Sequence, residues 1–264
     1  MALEVIAKGE RSESCPIPLL FVHGAWHGAW CWDEHFLDYF ASLGYECIAL
    51  SLRGHGGSPG VEKMNLYRID DYVEDVAEVA ATLDTPPIVL GHSMGGLVTQ
   101  QYLARYSASA GVLLGSVPPK GVIGVVTQML RHHPLRFMAA NLFWNLYQLV
   151  NTPAKARELF YSAGVPEADV ERYVEPLTNE SYLAFIDMLI LNLPKRGAVS
   201  VPMRVLGGEL DSIFPPADVR ATAAFYNTEA TIYPETAHNL MLEPRWRDVA
   251  DDIHAWIQAG FAKP

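Results

Sequence analysis

Residues 87–103 read PIVLGHSMGGLVTQQYL, an apolar run followed by a serine among glycines and then by an uncharged segment. The first run, ending at Gly91, is typical of a buried parallel strand, and the second indicates a helix that begins near Met94. A G-x-S-x-G at such a junction is a nucleophile elbow, whose strained turn projects the serine hydroxyl above the sheet edge. The alternative is that the glycines only form a turn and Ser93 only caps the helix.

Two backbone features favour the first interpretation. Gly91 and Gly95 lie two residues on either side of Ser93, where strand and helix approach each other closely. The helix N-terminus also offers unpaired N–H groups and a positive dipole end, which stabilise a developing oxyanion. The sequence therefore predicts Ser93 as a nucleophile and the N–H of Met94 as an oxyanion donor.

Strands and helices alternate through much of the chain. Other apolar runs predict strands that end at Val22, Leu50, Gly115, Gly207 and Pro234. Strand and helix segments of this length predict an α/β fold with a doubly wound, mostly parallel sheet and right-handed crossovers.

Two segments have an apolar face at helical spacing. In DEHFLDYFASLGY, Asp33 is the expected N-cap, Phe36, Leu37 and Phe40 form the buried face, and Gly44 ends the helix. In RIDDYVEDVAEVAATL, apolar residues are expected inward and acidic residues outward.

The alternation stops after the Pro118-Pro119 pair. The following stretch is rich in Leu, Phe, Met, Trp and Tyr at helical spacing and contains no convincing strand. We expect residues 118–198 to be a helical cap inserted into an α/β core formed by residues 1–117 and 199–264.

A serine nucleophile needs a base that accepts its proton. Among nine histidines, His238 in PETAHNLMLEP is the predicted base because it lies in a loop between the last strand and the final helix. Asp211 in VLGGELDSIFP follows a strand, so it leaves the sheet at the same edge as Ser93. Glu209 and Asp218 are its competitors as the group that orients the imidazole.

A second oxyanion donor is expected from the loop HGAWHGAWCW after the first predicted strand. Gly24 permits close backbone approach, the N–H of Ala25 is the predicted donor, and Trp26 is the adjacent alternative. Gly24 and Trp26 are also predicted to contact the substrate.

The composition narrows the choice of partners. The chain has 264 residues, half of them hydrophobic, and its 19 basic and 30 acidic side chains give a formal charge of −11. This charge argues against a nucleic-acid or anionic-membrane partner, and a small neutral or apolar molecule is expected instead. No apolar stretch reaches the roughly 18 residues that span a bilayer, so no stable membrane insertion is expected.

The N-terminal residues and the cysteines indicate location and redox chemistry. MALEVIAKGERSESC lacks the apolar core of a secretory signal, so a cytoplasmic location is expected. The chain has three cysteines, Cys15, Cys31 and Cys47. Their odd number does not favour a disulfide framework, and their spacing does not favour a zinc site. The oligomeric state is left open.

The motifs HGAWHGAWCW, SLRGHGGSPG, GHSMGG, GGELDSIFP and AHNLMLEP together resemble the α/β-hydrolase superfamily along essentially the whole chain. HGAWHGAWCW and the H-x-x-x-L-E-P ending are similar to small esterases grouped with plant methylesterases and hydroxynitrile lyases. The chain order of Ser93, Asp211 and His238 is the one expected of this hydrolase type. The resemblance implies that these residues are the nucleophile, the acid and the base. It also implies that the protein needs no cofactor and no metal, and that a cap lies between the family's sixth and seventh strands.

The predicted reaction is hydrolysis of carboxylic esters of small or medium, largely apolar substrates through an acyl-enzyme. Asn239 follows His238 where hydroxynitrile lyases of this branch carry lysine, which argues against cyanohydrin cleavage. Alternatives are other triad chemistry, such as perhydrolysis or cofactor-free oxygenation, and a non-hydrolytic small-molecule receptor. Met129, Phe137, Phe143 and Trp144 are candidate pocket residues, although cap side chains can also pack only against one another.

Overall fold

The structure is a computed structural model that describes residues 2–261. Its strands form one sheet in the order β1-β3-β2-β4-β5-β6-β7, in which only β1 runs antiparallel to its neighbour. The prediction of an α/β fold with a mostly parallel sheet is confirmed. The strands are β1 (Val5–Lys8), β2 (Leu19–Val22), β3 (Cys47–Leu50), β4 (Ile88–His92), β5 (Ala110–Leu114), β6 (Met203–Gly208) and β7 (Ala230–Tyr233).

Helices connect the strands and cover the sheet. Two hydrophobic clusters, both containing residues of the central strands β2, β4 and β5, form the core. The α-helices are α1 (Trp30–Asp33), α2 (Phe36–Ser42), α3 (Ile69–Ala80), α4 (Met94–Leu103), α5 (Ile123–His132), α6 (Pro134–Leu142), α7 (Pro153–Phe160), α8 (Glu167–Val174), α9 (Tyr182–Ile186), α10 (Pro216–Phe225) and α11 (Trp246–Gln258). Short 3₁₀ turns span Val61–Leu66, Leu146–Leu149 and Leu240–Leu242, and a π-helical turn spans Asp187–Leu191.

The first helical segment differs from the prediction. Asp33 does not cap a helix but ends the short α1, and its carboxylate lies 2.6 Å from Nζ of Lys8 on β1. That ion pair engages the side chain, and α2 begins only at Phe36 after His35. The sequence pattern also missed β1 itself, a half-exposed edge strand whose pairing with β3 is non-local.

The predicted outward direction of the acidic residues on α3 is wrong at Asp75. This carboxylate is buried, accepting hydrogen bonds from Nε of Arg53 at 2.8 Å and from the Arg53 backbone N–H at 2.9 Å. A guanidinium and a backbone donor together compensate the burial of the charge. The apolar face of α3 is buried as predicted.

Residues 118–198 contain the helices α5 to α9, and the structure shows no strand in this range. The resemblance implies a cap between the sixth and seventh strands, whereas this segment lies between the fifth and sixth of the seven strands present, β5 and β6. Its buried residues join both hydrophobic clusters of the core. A division into cap and core stays a prediction; we call this range the 118–198 segment.

The sheet determines where polar side chains can meet. β2, β4, β5, β6 and β7 run parallel, so their carboxyl ends lie along one edge. The loops that follow these ends contain the predicted site residues. Within residues 2–261, no helix combines the length and apolarity that a bilayer crossing requires.

Candidate active site

Ser93 occupies a strained turn between β4 and α4. Its backbone has φ 53° and ψ −118°, a conformation that non-glycine residues rarely adopt. The Ser93 N–H donates to the carbonyl of Leu114 at 3.1 Å, and the Ser93 carbonyl accepts from the N–H groups of Gly96 at 3.0 Å and Val117 at 3.1 Å. These bonds hold the turn and direct the serine side chain into a cavity.

The glycines around Ser93 permit the close contacts that the sequence indicated. A Cβ at Gly91 would lie 2.4 Å from the carbonyl oxygen of Gly95. A Cβ at Gly95 would lie 2.2 Å from the carbonyl oxygen of His23. Both distances are shorter than van der Waals contact, so strand, helix and the loop after β2 fit together only with glycine at these positions.

His238 and Asp211 form a buried pair. Nδ1 of His238 lies 2.8 Å from Oδ2 of Asp211, while Oδ1 of Asp211 accepts from the N–H groups of Ile213 at 2.8 Å and Phe214 at 2.9 Å. The carboxylate is thus held by two backbone donors and presents its second oxygen to the imidazole. This arrangement fixes Nδ1 as the protonated nitrogen.

The competing acids lie elsewhere. Glu209 is exposed, and its carboxylate accepts a hydrogen bond from the N–H of Glu235 at 3.2 Å. Asp218 pairs with Nζ of Lys120 at 2.5 Å. Of the three acids considered in the sequence, only Asp211 contacts His238.

His92 connects the serine turn to His238. Its Nε2 donates to the carbonyl of His238 at 3.0 Å, and the two ring centroids are 4.7 Å apart. Burial lowers the pKa of His92 well below its usual range, so the ring is neutral and its single proton resides on Nε2. This contact joins His238 to the residue that precedes Ser93 in the chain. Sequence reasoning missed it, because no local pattern reveals a side chain's bond to a backbone 146 residues away.

A proton transfer from Ser93 to His238 would join the serine hydroxyl and Nε2 of the histidine, and both are free of other hydrogen-bond partners in the described chain. Among residues 2–261, none forms a hydrogen bond with the Ser93 hydroxyl or with Nε2 of His238. In unliganded sites such bonds are often long and shorten when substrate binds. Within the described residues, the Ser93 hydroxyl and Nε2 of His238 are therefore free of competing partners, and they are not hydrogen-bonded to each other.

The two residues predicted to supply the oxyanion donors line the same cavity. Ala25, Ser93 and Met94 all line it, and no residue of the described chain accepts a hydrogen bond from the N–H of Ala25 or Met94. The alternative donor, the N–H of Trp26, instead donates to Oε2 of Glu180 at 3.3 Å.

Gly24 makes this arrangement possible. A Cβ at Gly24 would lie 2.9 Å from Cβ of Ser93 and 2.8 Å from Nδ1 of His92. The loop after β2 can therefore approach the serine turn only without a side chain here. Of the two predicted substrate contacts, Trp26 lines the cavity, whereas Gly24 lies behind its lining.

Two buried histidines shape the loop around Ala25. Nδ1 of His23 donates to the Gly24 carbonyl at 2.8 Å, while its Nε2 accepts from the N–H of Leu52 at 3.0 Å. Nδ1 of His27 donates to the Ala25 carbonyl at 2.8 Å. Burial lowers the pKa of His23 well below its usual range and that of His27 to about 4. Both rings are therefore neutral, and both donate to carbonyls of the loop.

The cavity is almost wholly apolar and has a volume of about 80 Å³. Of the four candidate pocket residues in the 118–198 segment, Met129 and Phe137 line it, whereas Phe143 and Trp144 are exposed. The lining comprises Ala25, Trp26, Ser93, Met94, Val117, Val122, Val125, Val126, Met129, Phe137, Leu146, Leu149, Leu159, Phe185, Met188, Ile213 and Phe214.

Comparisons with known proteins agree with this architecture. A monoacylglycerol lipase from Mycolicibacterium smegmatis is 27% identical over 238 residues, covering 85% of this chain and 82% of the relative. Methylesterase 18 from Arabidopsis thaliana is 25% identical over 240 residues, covering 83% and 89%. The crystal structure of a monoacylglycerol lipase from Paleococcus ferrophilus superimposes with a TM-score of 0.74 at 20% identity, covering 98% of this chain and 99% of that one.

The family assignment rests on most of the chain. The alpha/beta hydrolase family matches residues 19–252, a range that contains the serine turn, the Asp211–His238 pair and the loop after β2. The resemblance inferred from the motifs is thereby confirmed. This chain belongs to the alpha/beta hydrolase family.

Proposed function

We propose that this chain is a serine carboxylesterase that hydrolyses esters of small or medium, largely apolar substrates. The observation that carries the proposal is the buried Asp211–His238 pair held beside the strained turn of Ser93. The relatives named monoacylglycerol lipase and methylesterase support ester chemistry. The proposed partner is therefore a small-molecule ester.

In the first step, the Ser93 hydroxyl attacks the ester carbonyl while Nε2 of His238 takes its proton. Asp211 keeps the other ring proton on Nδ1 and stabilises the imidazolium that forms. The tetrahedral intermediate collapses, the alcohol leaves with the proton from Nε2, and an acyl-enzyme remains.

In the second step, water attacks the acyl-enzyme with His238 as the base, and the acid product leaves. In both steps the negative oxygen lies between the N–H groups of Ala25 and Met94. Donors fixed in advance and shielded from bulk water stabilise that charge without reorganisation.

The cavity indicates the acyl group. Its lining has almost no polar surface, which disfavours a charged or sugar-like acyl group. Its volume of about 80 Å³ is small, which favours an acyl group of limited size. We therefore propose a short to medium aliphatic acyl group or a small aromatic one.

A panel of p-nitrophenyl esters with acyl chains of increasing length tests the proposal. We expect turnover to be highest for short to medium acyl chains and to fall for longer ones. A fluorophosphonate should label one peptide, the one that contains Ser93.

The variant Ser93→Ala should lose labelling and turnover, whereas Ser212→Ala, a nearby loop serine, should retain both. Turnover by Ser93→Ala at the wild-type rate would reject the nucleophile. Tight binding of esters by the wild type without turnover would favour the receptor alternative.

A further inference from the structure

Glu180, in the 118–198 segment, is a fully buried carboxylate with four donors around it. Its Oε1 accepts from the Tyr72 hydroxyl at 2.9 Å and from the N–H of Ser181 at 2.6 Å. Its Oε2 lies 3.1 Å from Nε2 of His55 and accepts from the backbone N–H of Trp26 at 3.3 Å. Tyr72, His55 and Trp26 lie outside the segment, so one side chain connects it to three separate parts of the molecule.

The contact with His55 is a buried ion pair. Nδ1 of His55 faces the carbonyl of Arg53 at 3.2 Å, and Nε2 faces Glu180, so both ring nitrogens meet acceptors. Burial by itself lowers the pKa of His55, but the charge and hydrogen bond of Glu180 outweigh it and raise the pKa above its usual value. The carboxylate is thus held in place by a fixed cation.

Trp26 is the partner that matters for the active site. Its φ of 67° is in the left-handed region, which is unfavourable for an aromatic residue and persists only where surrounding contacts enforce it. The 118–198 segment supplies them on both sides, because Trp26 N–H donates to Glu180 and Trp26 C=O accepts from the N–H of Thr178 at 2.9 Å. The Trp26 N–H belongs to the Ala25–Trp26 peptide, whose carbonyl accepts from Nδ1 of His27. The predicted oxyanion donor, the N–H of Ala25, lies on the adjacent Gly24–Ala25 peptide, so the contact with Glu180 restrains it through the backbone of Ala25.

We propose that Glu180 is a positioning residue for the oxyanion loop, the loop after β2: by holding the Ala25–Trp26 peptide, it limits rotation about the backbone of Ala25, so that the N–H of Ala25 on the adjacent peptide faces the reacting carbonyl. The inference rests on the proposed esterase function. Under it, the 118–198 segment does more than cover the cavity: it completes an oxyanion site whose donors belong to the core. Glu180 itself does not touch the substrate.

Glu180→Gln removes this contact together with the negative charge that faces His55. All four partners of Glu180 can donate, and an amide accepts only through its single oxygen. With that oxygen at the Oε1 position, the amide satisfies Tyr72 and Ser181, and its NH₂ faces neutral His55 as a donor. The N–H of Trp26 then meets another donor and loses its partner.

Kinetics and inhibitor binding test the role. For Glu180→Gln, we expect kcat to fall by about 10- to 100-fold, since a misplaced oxyanion donor loses part of its transition-state stabilisation. KM should change by less than about threefold, because the ground-state ester does not depend on that donor. Affinity for a trifluoromethyl ketone, whose adduct places an oxyanion in the same position, should fall by the same factor as kcat.

Tyr72→Phe is the matched control. It removes one hydrogen bond to the same carboxylate, but on Oε1, leaving Trp26 held. We expect a comparable fall in melting temperature and a kcat within about twofold of wild type. Equal kcat losses in both variants, or unchanged kcat in Glu180→Gln, would overturn the proposal.

Glu180→Asp provides a second test if the Gln variant does not fold. It keeps the charge for His55 but is one methylene shorter, so the Trp26 contact, the longest of the four, should be the first lost. The same fall in kcat and ketone affinity is expected, and wild-type values would overturn the proposal. Failure of the esterase function is distinguishable, because the wild type itself would then turn over no ester.

Discussion

Helices α4 and α5 have the same length of ten residues and both line the cavity, yet they are held in opposite ways. Every residue of α4 is buried, whereas no residue of α5 is. Met94 faces the cavity from α4, and Val125, Val126 and Met129 face it from α5. The helix α6 resembles α5, since only Ala140 is buried and Leu135, Met138 and Leu142 are exposed.

This difference separates two tasks. A helix packed on all sides cannot shift without creating cavities or clashes, so the groups next to it are held to a fraction of an ångström. A helix packed on one side can be replaced or moved at lower cost. The proposed reacting groups lie next to the fully buried α4, whereas most residues proposed to contact the acyl group lie on the exposed helices α5 and α6. Substitutions next to α4 should therefore reduce kcat more than substitutions on α5 or α6.

The largest effect is expected at Asp211. In Asp211→Asn, the amide oxygen should keep the two backbone donors at the Oδ1 position, which turns the NH₂ toward Nδ1 of His238. The imidazole then adopts the wrong tautomer, and kcat should fall by about 10⁴. Steady-state hydrolysis of a p-nitrophenyl ester measures this. Asp218→Asn is the control, and a loss below tenfold at Asp211 would contradict the assignment.

The second comparison uses two glycines. Gly24→Ala places a methyl group 2.9 Å from Cβ of Ser93 and 2.8 Å from Nδ1 of His92, whereas a methyl group at Gly124 in α5 meets nothing within 4 Å. We expect kcat to fall by about 10² for Gly24→Ala, because the oxyanion loop must move away from the serine. Gly124→Ala should keep its activity and gain about 0.5–1 kcal/mol in unfolding free energy from the better helix former. Steady-state kinetics measure kcat, and urea unfolding measures the free energy of unfolding of each variant. Equal changes in kcat for Gly24→Ala and Gly124→Ala would contradict the proposed difference between the surroundings of α4 and α5.

The third expectation concerns acid. His23, His27 and His92 are buried and neutral, with pKa values lowered by burial, that of His27 from 6.5 to about 4. Unfolding releases these rings, so between pH 6.5 and about 4 the unfolded chain binds more protons and stability falls as pH falls. Each such histidine contributes about 1.4 kcal/mol per pH unit.

Buried Glu243, whose pKa is raised by burial, acts in the opposite direction. Urea unfolding at pH 7, 6 and 5 should therefore show a falling free energy, with a slope of less than three protons. His27→Gln should reduce that slope by about one proton. A free energy of unfolding that is flat over this range would show that these rings are protonated in the folded protein.

The smallest loss of activity is expected from a substitution on α6, one of the two exposed helices that line the cavity. Phe137 lines the cavity from α6 and contacts Phe185 with ring centroids 6.5 Å apart. Phe137→Ala should enlarge the cavity and shift the preferred acyl chain by a few carbons, with kcat/KM for the original ester falling by about tenfold or less. The p-nitrophenyl ester series measures the shift. A loss as large as that of Asp211→Asn would mean that α6 positions the reacting groups as well.

Much of the fold followed from local patterns. Six of the seven strands lie where apolar runs between turn residues predicted them, and the buried face of α3 matches its spacing. Edge strand β1 was missed because it is only half buried and its pairing with β3 is non-local. Asp75 was misplaced because the guanidinium that compensates its burial lies 22 residues away in the chain.

The sequence alone determined the nucleophile turn, the parallel sheet and the chain order of Ser93, Asp211 and His238, because glycine requirements and burial periodicity act over a few residues. Only the tertiary structure decided that Asp211 and not Glu209 meets His238, that His92 holds the His238 backbone, and that Glu180 binds the loop after β2. These contacts depend on which distant segments of the chain the fold brings together at the edge of the sheet. Short-range sequence patterns do not reveal this placement, because it depends on the packing of the whole core.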